Sequence, residues 1–390
     1  MIAVLACASG SGCSDSVDTS AQGEAAATSM SCGKAALPKG ALRMPNDWTW
    51  DAWAGEFDGK LHRWGLIAPK TVPLSEIGEN ARIGHWLWNA SHQRWDYDGI
   101  CIAPNSNASR PNHVIWSGSM PFKIDGRIVA FVTGRDRAAT IQESFVQSIY
   151  RSTSVDGKVW NPLEPVLSRE AFTAAGYDLR GGFDGVPSKE HGDGIPSSSR
   201  DPYVVRDPFD TTKYHMFIGA KVAKPNGSSR ATVAHATTHD PLKKWTLGPP
   251  IDLPATVDQL EVPNFFYHHD KKGRGSWFAV ISATRKYFGE GDSRNTQAIF
   301  GYRSEALGGP WKPIYEGYEQ RPYADDPSLI DDGYHYAVTV FPRADGGFGA
   351  LGFHTAKKHK EWLLTGSPVY FIRWEGADGE IPVIPFPQDK

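Results

Sequence analysis

The sequence predicts an all-β protein, a five-bladed β-propeller with a central pocket, and three observations predict it. Five tryptophans, Trp95, Trp160, Trp245, Trp311 and Trp362, each follow a polar turn cluster. Ahead of each lie two strand-like runs of alternating character. Upstream of those runs, a conspicuous polar residue recurs with a similar period. The Trp-to-Trp spacings of 65, 85, 66 and 51 residues are too uneven for a solenoid but suit four-stranded blades with variable loops. A β-sandwich with tryptophans in its turns is the alternative, and five matched cycles argue against it.

The elements follow in order. Second strands are expected at Leu61–Ala68, Arg127–Thr133, Lys213–Ala220, Ser276–Ser282 and Tyr334–Phe341. Asp58-Gly59, Asp125-Gly126 and Asp332-Gly333 precede three of them, and Asp-Gly is the pair that a two-residue hairpin with positive φ demands. Third strands are expected at Ala81–Trp88, Ser148–Ser154, Ala231–Thr237, Ala298–Ser304 and Ala350–Thr355, with each Trp opening the fourth. The propeller domain is expected to occupy residues 39–390. Residues 1–38 are read as a leader and flexible linker, because the stretch from 8 to about 38 is rich in Ser, Ala and Gly and poor in large apolar groups.

Val4-Leu5-Ala6-Cys7 looks like a bacterial lipoprotein cleavage box without the basic segment that normally precedes one, so the expectation is a secreted, periplasmic or cell-surface protein with a lipid anchor at Cys7. No run of about 18 apolar residues suggests a membrane span. The formal net charge of -3 comes from interspersed charges with no basic block, which argues against nucleic acid as a partner. A small neutral carbohydrate fits better, since the 14 Trp, 14 Tyr and 18 Phe offer flat apolar rings to the C–H faces of a sugar. The four cysteines form no C-x-x-C pair and have no histidine at zinc-like spacing, so neither a metal nor another cofactor is expected.

In a propeller the innermost strand of every blade lies beside a common axis, so residues far apart in sequence converge there. The polar residues in the predicted first strands are Asp51, Ser117, Asp201, Glu261 and Asp326, spaced by 66, 84, 60 and 65 residues. Asp326, in an Asp-Pro turn pair with Asp325 beside it, is read as structural. Asp51, Asp201 and Glu261 remain: a nucleophile, a proton donor and a residue that steadies a sugar as it becomes oxocarbenium-like. Partial burial and mutual repulsion are expected to push at least one carboxyl pKa upward. The longer arm of Glu261 suits the acid/base, and Arg200 would hold a hydroxyl or a carboxylate. An acidic optimum follows if Asp51 is ionised while Glu261 keeps its proton.

Taken together, Trp50-Asp51-Ala-Trp53, Trp116-Ser117-Gly-Ser119, Arg200-Asp201-Pro202 and Asp258-Gln-Leu-Glu261 resemble motifs of the levansucrase and fructosyltransferase family. Those enzymes are retaining five-bladed propellers related to invertases and fructan hydrolases. The resemblance implies Asp51 as nucleophile, Glu261 as acid/base and Asp201 as transition-state stabiliser. It implies that Trp50, Trp116, Ser117 and Arg200 shape a fructosyl subsite, with Gln259 facing the glucosyl unit. Arg285 stands one place from the family's basic residue in that region. The chain has Ala52 where the family has Ser or Thr, and Val262 where it has Arg. Glu261-Val-Pro263 leans toward the Glu-Cys-Pro of invertase-like enzymes. The implied activity is cleavage of sucrose or short fructans, with fructose passed to water or to a sugar. The rival readings are an inverting arabinofuranosidase- or xylosidase-like propeller and a non-catalytic sugar-binding propeller.

Overall fold

Five antiparallel sheets stand around one axis, each made from consecutive strands. A computed structural model describes residues 38–104, 114–135, 147–178, 199–223, 229–254, 259–285, 296–319, 322, 326–331, 334–355 and 364–386. Blade 1 is β1 (Asp47–Phe57), β2 (Lys60–Pro69), β3 (Arg82–Asn89) and β4 (Arg94–Ile102). Blade 2 is β5 (Val114–Ile124), β6 (Arg127–Arg135), β7 (Gln147–Ser154) and β8 (Glu164–Leu167). Blade 3 runs through β9 (Arg200–Arg206), β10 (Tyr214–Ala223), β11 (Ser229–Thr238) and β12 (Thr246–Leu247). Blade 4 comprises β13 (Gln259–His269), β14 (Gly275–Arg285), β15 (Thr296–Ser304) and β16 (Lys312–Pro313), with β17 (Leu329–Asp331) also paired to β15. Blade 5 holds β18 (His335–Pro342), β19 (Phe348–His354), β20 (Thr365–Gly366) and β21 (Tyr370–Phe371).

The inner strands β1, β5, β9, β13 and β18 lie side by side in that order, and β18 returns to β1. Closure is reinforced from upstream of blade 1. Leu42 exchanges both backbone hydrogen bonds with Gly366 of β20, each 2.8 Å long, and Thr49 N–H donates to the Leu364 carbonyl.

Local chemistry explains the blades. Asp58-Gly59 and Asp125-Gly126 form two-residue hairpins in which all four residues have positive φ, as expected; Asp332-Gly333 lies outside the described residues. In blades 2 to 4 the repeated tryptophan ties its turn shut: Trp160, Trp245 and Trp311 donate their indole N–H to the carbonyls of Gly157, Pro241 and Leu307. Trp362 lies outside the described residues. Each blade packs its faces on its neighbours, so the middle strands are buried on both sides, as along β6 and β10. One apolar cluster serves each junction, from Trp53, Trp64 and Ile128 between blades 1 and 2 to Ala54 and Phe341 between blades 5 and 1.

Blade 5 corrects the expected phase. The stretch expected as its second strand is β18, the inner strand, and the one expected as its third is β19. Asp326 is therefore off the axis. It sits in a turn ahead of β17, accepting from the Ser328 amide and hydroxyl, at the outer side of blade 4. The Asp-Pro turn chemistry had disguised a loop as an inner strand.

Among the described residues Cys101 has no disulfide partner, while Cys7, Cys13 and Cys32 lie outside them. Among the described residues no helix is long and apolar enough to cross a membrane.

Candidate active site

Every inner strand breaks its ladder at the same level. The pairing slips at Asp51 in β1, Trp116-Ser117 in β5, Asp201-Pro202 in β9, Val262-Pro263 in β13 and Ala337-Val338 in β18. These are β-bulges, which re-aim side chains. Pro202 and Pro263 suit them, since a bulged residue owes no ladder N–H. Four bulges place a non-glycine residue at positive φ: Asp51 at 37°, Asp201 at 61°, Val262 at 45° and Ala337 at 47°. Such φ values cost free energy, most for the β-branched Val262. In blade 2 the bulge relies on Gly118, where an added Cβ would lie 2.0 Å from the Phe131 carbonyl oxygen.

The bulges gather the three carboxylates and one arginine. Arg200 donates to Glu261 Oε1, and its Nε lies 3.5 Å from Asp201 Oδ2. Asp201 also accepts from the Val262 amide at 3.2 Å, joining blade 3 to blade 4. Asp51 lies within electrostatic reach of Asp201, Glu261 and Arg200.

These surroundings set the protonation. Burial pushes Asp51 well above the usual carboxylate range, and the charges of Asp201 and Glu261 push the same way against Arg200. Burial likewise drives Asp201 up to about 7, with Arg200 opposing and Glu261 adding to the rise. For Arg200 burial disfavours the charge, but Glu261 and Asp201 outweigh it and hold the guanidinium above its ordinary value. The upward push expected on at least one carboxyl is therefore found on Asp51 and Asp201.

Tyr336 was not foreseen from the sequence. It precedes the bulge of β18 and donates its hydroxyl to Glu261 Oε2 at 2.5 Å. Placing the fifth inner strand too early hid it. Thr133 and Gln147 were also missed. Thr133 donates its hydroxyl to the Ser117 carbonyl and accepts from the Asp201 amide at 2.8 Å. Gln147 accepts from the Ser199 amide at 3.0 Å, so β6 and β7 together anchor the Arg200-Asp201 pair. A threonine and a glutamine inside otherwise buried strands were the only signal.

The other expected residues divide. Trp116 packs near both Arg135 and Arg200, whose guanidinium carbons lie 4.6 and 5.9 Å from its ring centre, and its indole N–H donates to the Gly78 carbonyl. Arg135 is held in turn by a bidentate pair with Glu79. Ser117 and Trp50 are buried at the bulge level. Gln259 opens β13 opposite Thr284, the neighbour of Arg285 at the end of β14. That puts both residues at the carboxylate end of blade 4, though their side chains lie outside the described structure. Asp258 lies outside it altogether.

A propeller that gathers three acids and an arginine on its axis falls in the class of five-bladed glycoside hydrolases. The comparisons agree. The profile described as the glycosyl hydrolases family 32 N-terminal domain matches residues 79–361, well over half of the chain. The chain belongs to glycosyl hydrolase family 32. The matched span begins downstream of Asp51. No curated protein sequence matches the chain.

Solved structures share the fold. The inulosucrase of Halalkalicoccus jeotgali bound to kestose superposes with a TM-score of 0.61 at 17% identity, covering 92% of this chain and 95% of that one. The levansucrase of Gluconacetobacter diazotrophicus gives 0.60 at 16% identity over 91% and 86%. A variant of a Bombyx mori β-fructofuranosidase in complex with sucrose gives 0.58 at 17% identity, over 87% of this chain and 63% of the other.

Proposed function

We propose that the chain cleaves sucrose or short fructans with retention, through a covalent fructosyl ester on Asp51. The observation that carries this reading is the convergence of Asp51, Asp201, Glu261 and Arg200 from three blades at one level of the axis. Family membership supports glycosidic chemistry, and the sugar in the Bombyx mori complex and the kestose in the inulosucrase favour a fructosyl donor.

Asp51 attacks the anomeric carbon of the fructosyl unit while Glu261 passes its proton to the departing glycosidic oxygen. Asp201 accepts hydroxyl hydrogen bonds that strengthen as the ring gains positive charge. Arg200, shared by Asp201 and Glu261, fixes their relative placement. Water or a sugar hydroxyl then attacks the ester, gives its proton to Glu261 and releases Asp51. Trp50, Trp116 and Ser117 shape the fructosyl subsite, and Gln259 and Arg285, at the end of blade 4 that carries Glu261, are the candidates for contacts to the rest of the substrate.

The pH profile follows. Attack requires ionised Asp51, and burial among like charges raises its pKa. Activity therefore falls at acid pH along a limb set above the range of an ordinary aspartate.

Glucose release from sucrose, followed in a coupled assay, tests the reading. Wild type is expected to release glucose and Asp51→Ala to lose roughly four or more orders of magnitude in kcat. Equal release by both would refute it. Proton NMR of the first product must show the anomeric configuration of the substrate, and inversion would instead favour an arabinofuranosidase-like mechanism.

A further inference from the structure

The opposite end of the axis holds a second concavity that the carboxylate chemistry does not use. All five inner strands run the same way along the axis, so the segments that follow the bulges meet again at the far end. There they enclose a cavity of about 400 Å³ to which every blade contributes. Phe266 follows Glu261 by five residues, so the two ends stand roughly 15 Å apart along a strand. Buried hydrogen-bonded groups lie between them. Asn264, fully buried, donates to the carbonyls of Val262 and Val338 and accepts from the Val340 amide, while Tyr203 donates to the Val340 carbonyl at 2.6 Å.

The lining selects an occupant. Trp53, Phe266, Trp277 and Phe341 provide aromatic walls around a space in the range of small-molecule sites. The Trp53 indole N–H and the Ser119 hydroxyl belong to lining residues but are shielded from the cavity, so they offer its occupant nothing. Glu56, half-buried, and Arg206, exposed, stand at its mouth with one charge of each sign. Glu56 is oriented by the Ala344 amide at 2.6 Å and Arg206 by the Tyr214 hydroxyl at 2.9 Å. A hexose needs a polar partner for nearly every hydroxyl, and these walls do not supply them. A charged ligand would gain nothing from balanced mouth charges. Flat rings, with the Glu56 carboxylate at the mouth as acceptor, suit a planar apolar molecule with one hydroxyl.

We propose that this far-end cavity binds neutral hydroxylated aromatic compounds of the phenol class, one per chain, independently of the carboxylate site. The probe is 2-naphthol, titrated into the full chain while tryptophan emission and calorimetric heat are followed. Saturable one-to-one binding with Kd below about 1 mM is expected. Val205→Trp, which fills the cavity from its wall, is expected to weaken binding at least tenfold and to leave glucose release from sucrose unchanged. Glu56→Gln, at the mouth and outside the core, is expected to weaken it severalfold and serves if the filled variant does not fold. Non-saturable binding, or unchanged affinity in a folded variant, would overturn the proposal. So would displacement of the probe by D-fructose, which would place it at the other end of the axis.

Discussion

The two ends of the propeller axis are built from the same five strands and differ in almost every physical respect. At the carboxylate end each strand breaks its ladder, four non-glycine residues take positive φ, and a buried and a half-buried aspartate stand beside a glutamate. At the far end β1, β9, β13 and β18 return to regular antiparallel pairing and present aromatic rings to a cavity. Strain and desolvation are thus concentrated where charge is gathered, and the stacked apolar faces of the blades offset them. The proposed chemistry belongs to the strained end.

The largest effect that could break this contrast is expected from Glu261→Gln. Loss of the acid/base lowers kcat on sucrose on the order of a thousandfold. In the proposed step Glu261 holds its proton while Asp51 is ionised, so a neutral Gln leaves the charge beside Asp51 unchanged and the acid limb stays where Asp51 sets it. An aryl fructoside whose leaving group needs no proton makes the limb measurable, and a limb moved well down in pH would contradict that protonation.

Asp201→Asn is expected to abolish most activity and yet stabilise the fold. A carboxyl whose folded pKa of about 7 lies above its ordinary value contributes stability that is complete at low pH and lost as pH rises through 7. The variant therefore matches wild type near pH 4 and gains between pH 4 and 7. Its advantage at pH 8 is on the order of a few kcal/mol, or a few degrees in Tm by calorimetry. A variant less stable than wild type at pH 8 would show that Asp201 is no reservoir of strain.

Tyr336→Phe deletes one hydrogen bond to Glu261 and is expected to lower kcat about tenfold with little change in KM. Rescue of neither parameter by Tyr336→His would fit a positioning role for the hydroxyl, whereas a pure KM effect would not. The smallest effect belongs to Ala337→Gly. Glycine relieves the positive φ of the fifth bulge but adds freedom to the unfolded chain, so thermal unfolding shifts by less than about 1 kcal/mol.

Much of the fold was legible because its signals are local. Asp58-Gly59 and Asp125-Gly126 carry their turn type in two residues, and the tryptophans after polar turns bond back to carbonyls three or four residues earlier. Asp51, Asp201 and Glu261 were legible from the blade period and motif resemblance. The fifth blade was not, because Asp-Pro is as good a turn as it is a bulge and only strand pairing distinguishes Asp326 from Ala337. Tyr336 and Thr133 act across 75 and 68 residues, a separation at which no periodicity speaks.

The sequence by itself determined the class of fold, four of the five inner strands and the three acids on the axis. Hairpin geometry and strand alternation are short-range preferences written in consecutive residues. Tertiary structure decided that Asp51 and Asp201 carry raised pKa values, that Tyr336 and not an aspartate completes the ring, and that buried Asn264 lies between a charged end and an aromatic one. Those outcomes depend on burial and on distances between blades, and both exist only once the ring has closed.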